Sequence, residues 1–225
     1  MSDVWAVLVA AGRGERLGED RPKAFAKLGG RPLLAESLER LERSEWIESV
    51  VVAAPPEWEE PSILVAEEIA AGKVVAVVTG GDTRAASVRA ALAEVTDDAA
   101  VVLVHDAARP ILPESVIDRL LRSLGEGWDG AIPALPVPDT LKRADGERVV
   151  ETVDRSGLYA VQTPQAFVAS MLRSALARER DATDCSSYVE AAGGRIRLVE
   201  GDRRLAKVTT PDDLAFVEQL LRSEA

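Results

Sequence analysis

The sequence predicts an α/β chain of Rossmann-like design, a doubly wound, mostly parallel sheet with a protruding β-hairpin arm. Short valine-rich runs alternate with longer segments whose apolar residues recur at helical spacing. The runs are almost continuously apolar, as strands covered on both faces require. The loop after the first run is rich in glycine, and ligands of such folds sit beyond the carboxyl ends of the strands. With 225 residues, 47% of them hydrophobic, the chain can bury the core of a single domain over 1–225 without disulfides or a structural metal.

Strands are expected at 5–10, 49–53, 74–78, 101–105 and 131–134. A helix at 32–43 groups Leu33, Leu34, Leu38 and Leu41. A second, at 83–95, sets Val88, Leu92 and Val95 on one face and Arg84, Ser87 and Ala91 on another, so both read as amphipathic. A third covers 114–124. Between 136 and 157 the alternation breaks into Pro-Val-Pro-Asp-Thr, an Asp145-Gly146 turn and strand-like residues at 147–153, which reads as a β-hairpin arm. Helices at 167–178 and 184–192 and a strand at 195–200 follow. The last helix opens at Thr210-Pro211-Asp212-Asp213, an N-cap, a first-turn proline and two acids that favour the positive end of the helix dipole.

The net charge of −11 disfavours nucleic acid or anionic lipid as a general partner, and Trp46, Trp58 and Trp128 are too scattered to form a stacking platform. The apolar stretch 4–11 is too short to span a bilayer and follows Asp3, so it is neither signal peptide nor anchor, and a cytoplasmic location is expected. Cys185 is the only cysteine, which excludes a disulfide framework and a cysteine-based zinc site.

The loop from Ala10 to Lys23 carries Gly12, Gly14 and Gly18 with Arg13, Arg16, Arg21 and Lys23. Over residues 1–31 six Arg or Lys face four acids, a local excess of positive charge in an acidic chain. Glycines let backbone N–H groups converge on an anion, and the cations add charge. The spacing G-x-G-x-x-x-G differs from the dinucleotide fingerprint, and the second strand ends Ala53-Ala54-Pro55 without an acid for a ribose, which disfavours a dehydrogenase. No P-loop motif occurs.

The Ala-Ala-Gly-x-Gly-x-Arg block at 10–16, followed by Pro22-Lys23, resembles the signature of nucleotidyltransferases that join a nucleoside triphosphate to a phosphorylated metabolite. Seven further blocks follow in order: Gly80-Gly81-Asp82-x-Arg84-x-x-Ser87, the run from Val104 through His105, Asp106 and Arg109 to Pro110, Pro136-Val137-x-Asp139-Thr140-x-Lys142, Thr152-Val153-Asp154-Arg155, Gln162-Thr163-Pro164-Gln165, Thr183-Asp184 and Lys207-Val208-Thr209. The series is similar to the 2-C-methyl-D-erythritol 4-phosphate cytidylyltransferase family of non-mevalonate isoprenoid synthesis, across nearly the whole chain.

That resemblance implies transfer of CMP from CTP to methylerythritol phosphate, giving 4-diphosphocytidyl-2-C-methyl-D-erythritol and pyrophosphate. It implies Arg16, Lys23 and Lys207 as the catalytic cations at the triphosphate. Ala10, Ala11, Gly12, Gly81, Asp82, Ser87 and Ala107 would enclose CTP, and Asp106 would face Mg²⁺. Thr140 and Arg155 would reach on the arm from a partner subunit to the sugar phosphate, making a homodimer. Arg109 either pairs with Asp106 or faces phosphate. A phosphate oxygen is already a competent nucleophile near neutral pH, so catalysis reduces to positioning and charge stabilisation and needs no triad. The lone His105 reads as a hydrogen-bonded core histidine, with a supporting role beside Asp106 as the alternative. Two departures stand out: Arg204-Leu205-Ala206 precedes Lys207 where the family often has Asp-Asn-Ile, and Cys185 stands where an acid often follows Thr183-Asp184. Rival readings are a cytidylyltransferase for another polyol phosphate, such as ribitol 5-phosphate, and a non-catalytic nucleotide-binding regulatory protein.

Overall fold

The computed structural model describes residues 3–12, 14, 17, 21–178 and 182–224. Along the chain, β1 (Val4–Val9) leads through a 3-10 turn (Lys23–Phe25) into the short pair β2 (Lys27–Leu28) and β3 (Arg31–Pro32), then α1 (Leu33–Arg43). Next come β4 (Ser49–Ala54), α2 (Glu59–Glu68), β5 (Val74–Thr79), α3 (Arg84–Leu92), β6 (Val101–Asp106), α4 (Glu114–Gly125) and β7 (Gly130–Pro136). After these lie β8 (Leu141–Asp145), β9 (Arg148–Val153), β10 (Tyr159–Val161), β11 (Gln165–Val168), α5 (Ala169–Leu176), α6 (Cys185–Ala191), β12 (Ile196–Glu200) and α7 (Pro211–Glu224).

An eight-stranded mixed sheet runs in the order β10-β7-β11-β6-β1-β4-β5, with β12 paired to β7. β1 lies parallel between β4 and β6, and β11 runs antiparallel to β6. Successive side chains of a strand point to opposite faces. Ala6 and Leu8 of β1 therefore join Val50, Val52 and Leu103 under α1 and α4, while Trp5 and Val7 join Val51, Val102 and Val104 under α3 and α5. Both faces are dry, which is why these strands read as unbroken apolar runs.

Two expectations are corrected here. Residues 167 and 168 are strand, and the expected helix at 167–178 begins only at Ala169. Phe167 is fully buried in register with Val102 and above Gly130, where a Cβ would come within 2.6 Å of the Phe167 ring. Sheet packing of an aromatic thus overrides the helical period that follows it. The second correction concerns α3: Ser87 and Ala91, expected on a face apart from Val88 and Leu92, are buried with them. At helical spacing these four lie side by side, and the end of that face bearing Arg84 and Ser87 borders a cleft. The sequence reading also lacked α2, in which Ser62, Val65 and Ala66 are buried while Ile63 and Leu64 are exposed, so no apolar stripe marks it.

β8 and β9 pair only with each other, turning at Gly146 with φ +57°. Val149 and Val150 on this hairpin are 57% and 58% exposed. At the far end of the chain, α7 packs Val217 against Leu28, Leu33 and Val208. Its entry is closed reciprocally: the Asp213 carboxylate accepts from the N–H groups of Thr209 and Thr210, and the Asp213 N–H donates to Thr210 Oγ1. These bonds, led by that from the Thr209 hydroxyl, hold the Asp213 pKa down at about 2. The Val208 N–H donates to the Ala108 carbonyl at 2.8 Å, so the anchored helix fixes Lys207 beside the end of β6.

Candidate active site

Three strand ends build a cleft of about 300 Å³: the turn after β1, the turn between β5 and α3, and the end of β6. Ala10, Ala11 and Gly12 form one wall, with the Ala10 N–H held by the Ala53 carbonyl and the Lys23 N–H donating to the Gly12 carbonyl. Gly14, at φ +74°, allows the chain to fold onto Lys23; a Cβ there would stand 2.7 Å from the Lys23 Cβ. Opposite, Gly80 lets the two turns meet, since its Cβ would fall 2.3 Å from that of Ala11. The Gly81 N–H donates to Ser87 Oγ, which in turn donates to the Thr83 carbonyl. Asp82, Ala107 and Lys207 complete the lining.

Asp106 closes the floor. Its Oδ1 accepts from Arg84 Nε at 2.9 Å and its Oδ2 from Lys207 Nζ at 2.7 Å. Burial works to raise the Asp106 pKa, but the two cations outweigh it and hold the group well below the usual carboxylate range. Behind this triad a second chamber of about 430 Å³ is bounded by Arg109, Gln162, Thr163 and Asp184 and shares Arg84, Asp106 and Lys207 with the first.

The turn after β6 is tied down from below. Thr163 Oγ1 accepts from the Asp106 N–H, leaving its own proton for His105 Nδ1; His105 Nε2–H then donates to the Arg109 carbonyl. His105 is completely buried, and that burial lowers its pKa to about 4. The core reading of this histidine holds, and its bonds also support the segment that carries Asp106. Arg109 does not pair directly with Asp106: its Nη1 donates to the Leu205 carbonyl, while Nε is buried without a partner.

Of the residues expected at the site, the structure brings together Ala10, Ala11, Gly12, Lys23, Gly81, Asp82, Ser87, Asp106, Ala107 and Lys207 in the first cleft, and Arg109 in the second chamber. Arg16 lies outside the described residues. Thr140 and Arg155 are exposed on the arm and line neither space within their own chain. Arg84 had no assigned role, although it stands in the Gly80–Ser87 block; its signal was its place at the start of a helix in line with Ser87. The departures also find accounts. Leu205 is fully buried in the core, and Arg204 pairs with Asp202. Asp184 caps α6, accepting from Ser186, Ser187 and Gln165. Cys185 packs under Arg84, with Nη1 3.3 Å from Sγ. Burial, opposed by Arg84, raises the Cys185 pKa. The native protein is therefore expected to leave an aromatic disulfide reagent unreacted and to yield one thiol after unfolding. A full equivalent from the native state would contradict that burial.

The glycine-rich turn, the paired cations and the carboxylate at the end of a parallel strand define a nucleotidyltransferase. A family model described as IspD, 2-C-methyl-D-erythritol 4-phosphate cytidylyltransferase, matches residues 4–223. The enzyme of that name from Frankia casuarinae is 46% identical over 97% of this chain and 81% of its own length, and that from Nocardia farcinica is 44% identical over 99% and 95%. Among solved structures, a 4-diphosphocytidyl-2C-methyl-D-erythritol synthase superposes with a TM-score of 0.84 at 37% identity, covering 98% of this chain and 99% of the other. The cytidylyltransferase from Thermus thermophilus gives 0.80 at 36% identity, with 99% and 100% covered. This chain belongs to the 2-C-methyl-D-erythritol 4-phosphate cytidylyltransferase family. It is an enzyme that transfers CMP to methylerythritol phosphate. No helix among the described residues is long and apolar enough to cross a membrane.

Proposed function

We infer that the first cleft holds CTP and the second chamber receives the sugar phosphate, so that the attacking oxygen meets the α-phosphorus beside Lys23 and Lys207. The observation that carries this reading is the shared wall: Arg84, Asp106 and Lys207 border both spaces, and the reaction needs two anionic substrates to meet at one centre. Backbone at Ala10–Gly12 and the Gly81–Ser87 hydrogen bond frame the nucleoside by close approach. Lys23, Lys207 and Arg16 stabilise the charge that grows on the α-phosphate and on departing pyrophosphate. No general base is required, because phosphate is already ionised.

Asp106 is the residue for Mg²⁺. Among the described residues no group of three or more His, Cys, Asp or Glu could cage a metal. A single carboxylate at the cleft floor suits magnesium that arrives on the triphosphate and keeps phosphate oxygens and waters as its other ligands. When bound, Mg²⁺ would neutralise charge on the triphosphate.

The arm argues for a homodimer. An isolated two-stranded hairpin with exposed valines is at best marginally stable in water, and its exposed apolar side chains suit a partner surface. We assign Thr140 and Arg155, on the 136–157 arm, to the sugar phosphate in the other subunit's site. If so, Lys23→Ala and Arg155→Ala proteins, each impaired alone, should recover about a quarter of wild-type activity when mixed and allowed to exchange subunits, because one site of each mixed dimer is intact. Exchange without recovery would place the arm's residues in their own chain's site.

The direct test of the whole reading is pyrophosphate release with each nucleoside triphosphate, Mg²⁺ and either methylerythritol phosphate or ribitol 5-phosphate. The expected result is turnover with CTP and methylerythritol phosphate. Preference for ribitol 5-phosphate would overturn the acceptor, and saturable CTP binding without product would indicate a regulatory protein.

A further inference from the structure

The proposed reaction leaves Arg84 without a role. It opens α3 immediately after the Thr83 cap and borders both chambers. Its three nitrogens are used unequally: Nε donates to Asp106, Nη1 meets the Cys185 thiol, and Nη2 is buried without a partner. Asp106 is the only carboxylate that it engages among these contacts. On the other side of that carboxylate, Lys207 is the more solvent-accessible cation, its side chain 40% exposed against 23% for Arg84.

The two cations therefore differ in what they can do. Arg84 cannot leave Asp106 without stranding a buried guanidinium, and its planar fork is held on two sides, by Asp106 and by Cys185. Lys207 has a flexible stem and the more exposed side chain, so a triphosphate can draw its ammonium away. Until Mg²⁺ arrives there, Asp106 tolerates that loss only if a second positive charge stays behind.

We propose that Arg84 is a positioning residue that remains on Asp106 as its permanent counter-ion, so that Lys207 can be released to the nucleotide. This rests on the assignment of Lys207 to the triphosphate made above. Without Arg84, Lys207 becomes the sole partner of a buried carboxylate and is withheld from CTP.

The test is CTP binding by calorimetry, without acceptor or Mg²⁺, to the wild type, Arg84→Gln, Asp106→Asn and the double variant, with thermal melts to confirm folding. Arg84→Gln should weaken CTP by about tenfold, on the scale of coupling between charges in one network. In the Asp106→Asn background the same change should cost less than about twofold, because no carboxylate remains to retain the lysine. An equal loss in both backgrounds, or no loss in either, overturns the proposal. If glutamine at 84 prevents folding, Arg84→Met is measured in the same two backgrounds: a loss that vanishes with Asp106→Asn supports the role, and a loss that persists or no loss at all overturns it. Lys207→Ala separates the layers. Wild-type CTP binding in that variant defeats the assignment of Lys207 itself, whereas weak binding there with intact binding in Arg84→Gln defeats only the role of Arg84.

Discussion

Lys23→Ala is expected to lower turnover by about 10²–10³-fold, the scale for deleting one preorganised stabiliser of transition-state charge, while leaving the melting temperature close to that of the wild type. The side chain is only half-buried, and the turn that carries it is secured by backbone bonds, from the Lys23 N–H to Gly12 and from the Ala26 N–H to the Lys23 carbonyl. Ala24, Phe25 and Ala26 fill the core beneath, with Phe25 tilted against Trp58 at 4.4 Å between centroids. Truncation at Cβ removes a charge from the cleft and nothing from that core. Pyrophosphate release with saturating CTP, Mg²⁺ and methylerythritol phosphate reads the effect in kcat. Wild-type turnover would remove Lys23 from the chemistry and with it the main reason for placing the α-phosphate beside the glycine-rich turn.

Much of this site was legible because its parts lie at strand ends, and strands buried on both faces announce themselves. The expected bounds of β1, β5 and β6 lie within a residue or two of the observed ones, so the turns that follow them are legible in the sequence as binding loops. Gly14, Gly80 and Gly81 stand where a Cβ would clash with a neighbour, a need the sequence shows only as glycine-rich turns. What sequence could not give was the partnership of charges. Arg84, Asp106 and Lys207 are separated by 22 and 101 residues, and only the docking of Val208 on Ala108 and the start of α3 beside β6 bring them together. Period and propensity describe one element at a time, so the single buried face of α3 reads as two, and Phe167 and Val168 read as helical because the residues after them are. The arm was recognised by its broken pattern and its Asp145-Gly146 turn. Its register, Asp145 opposite Arg148, follows from that turn.

Acidification from pH 7 to pH 5 should destabilise the protein by about 2 kcal/mol through His105 alone. The sign follows from the direction of the shift. Burial lowers the folded-state pKa to about 4 from the ordinary value of 6.5, so between those values the unfolded chain takes up a proton that the folded chain refuses. Stability is then full above pH 6.5 and falls steadily until the folded pKa is reached. The lowered carboxylates, Asp106, Asp184, Asp202 and Asp213 with Glu39, Glu59 and Asp154, release their stabilisation only as pH drops below the ordinary carboxylate values, which leaves the window above pH 5 to the histidine. Urea unfolding of the wild type and of His105→Gln at pH 7 and pH 5 measures the difference, and the variant should lose most of it. The same proton has a local cost. A protonated Nδ1 can no longer accept from Thr163, whose hydroxyl also receives the Asp106 N–H, so the segment bearing Asp106 and Arg109 loosens as His105 titrates. A stability profile that is flat between pH 7 and pH 5 would mean that the folded protein takes up this proton freely, and that His105 is not sealed beneath the site.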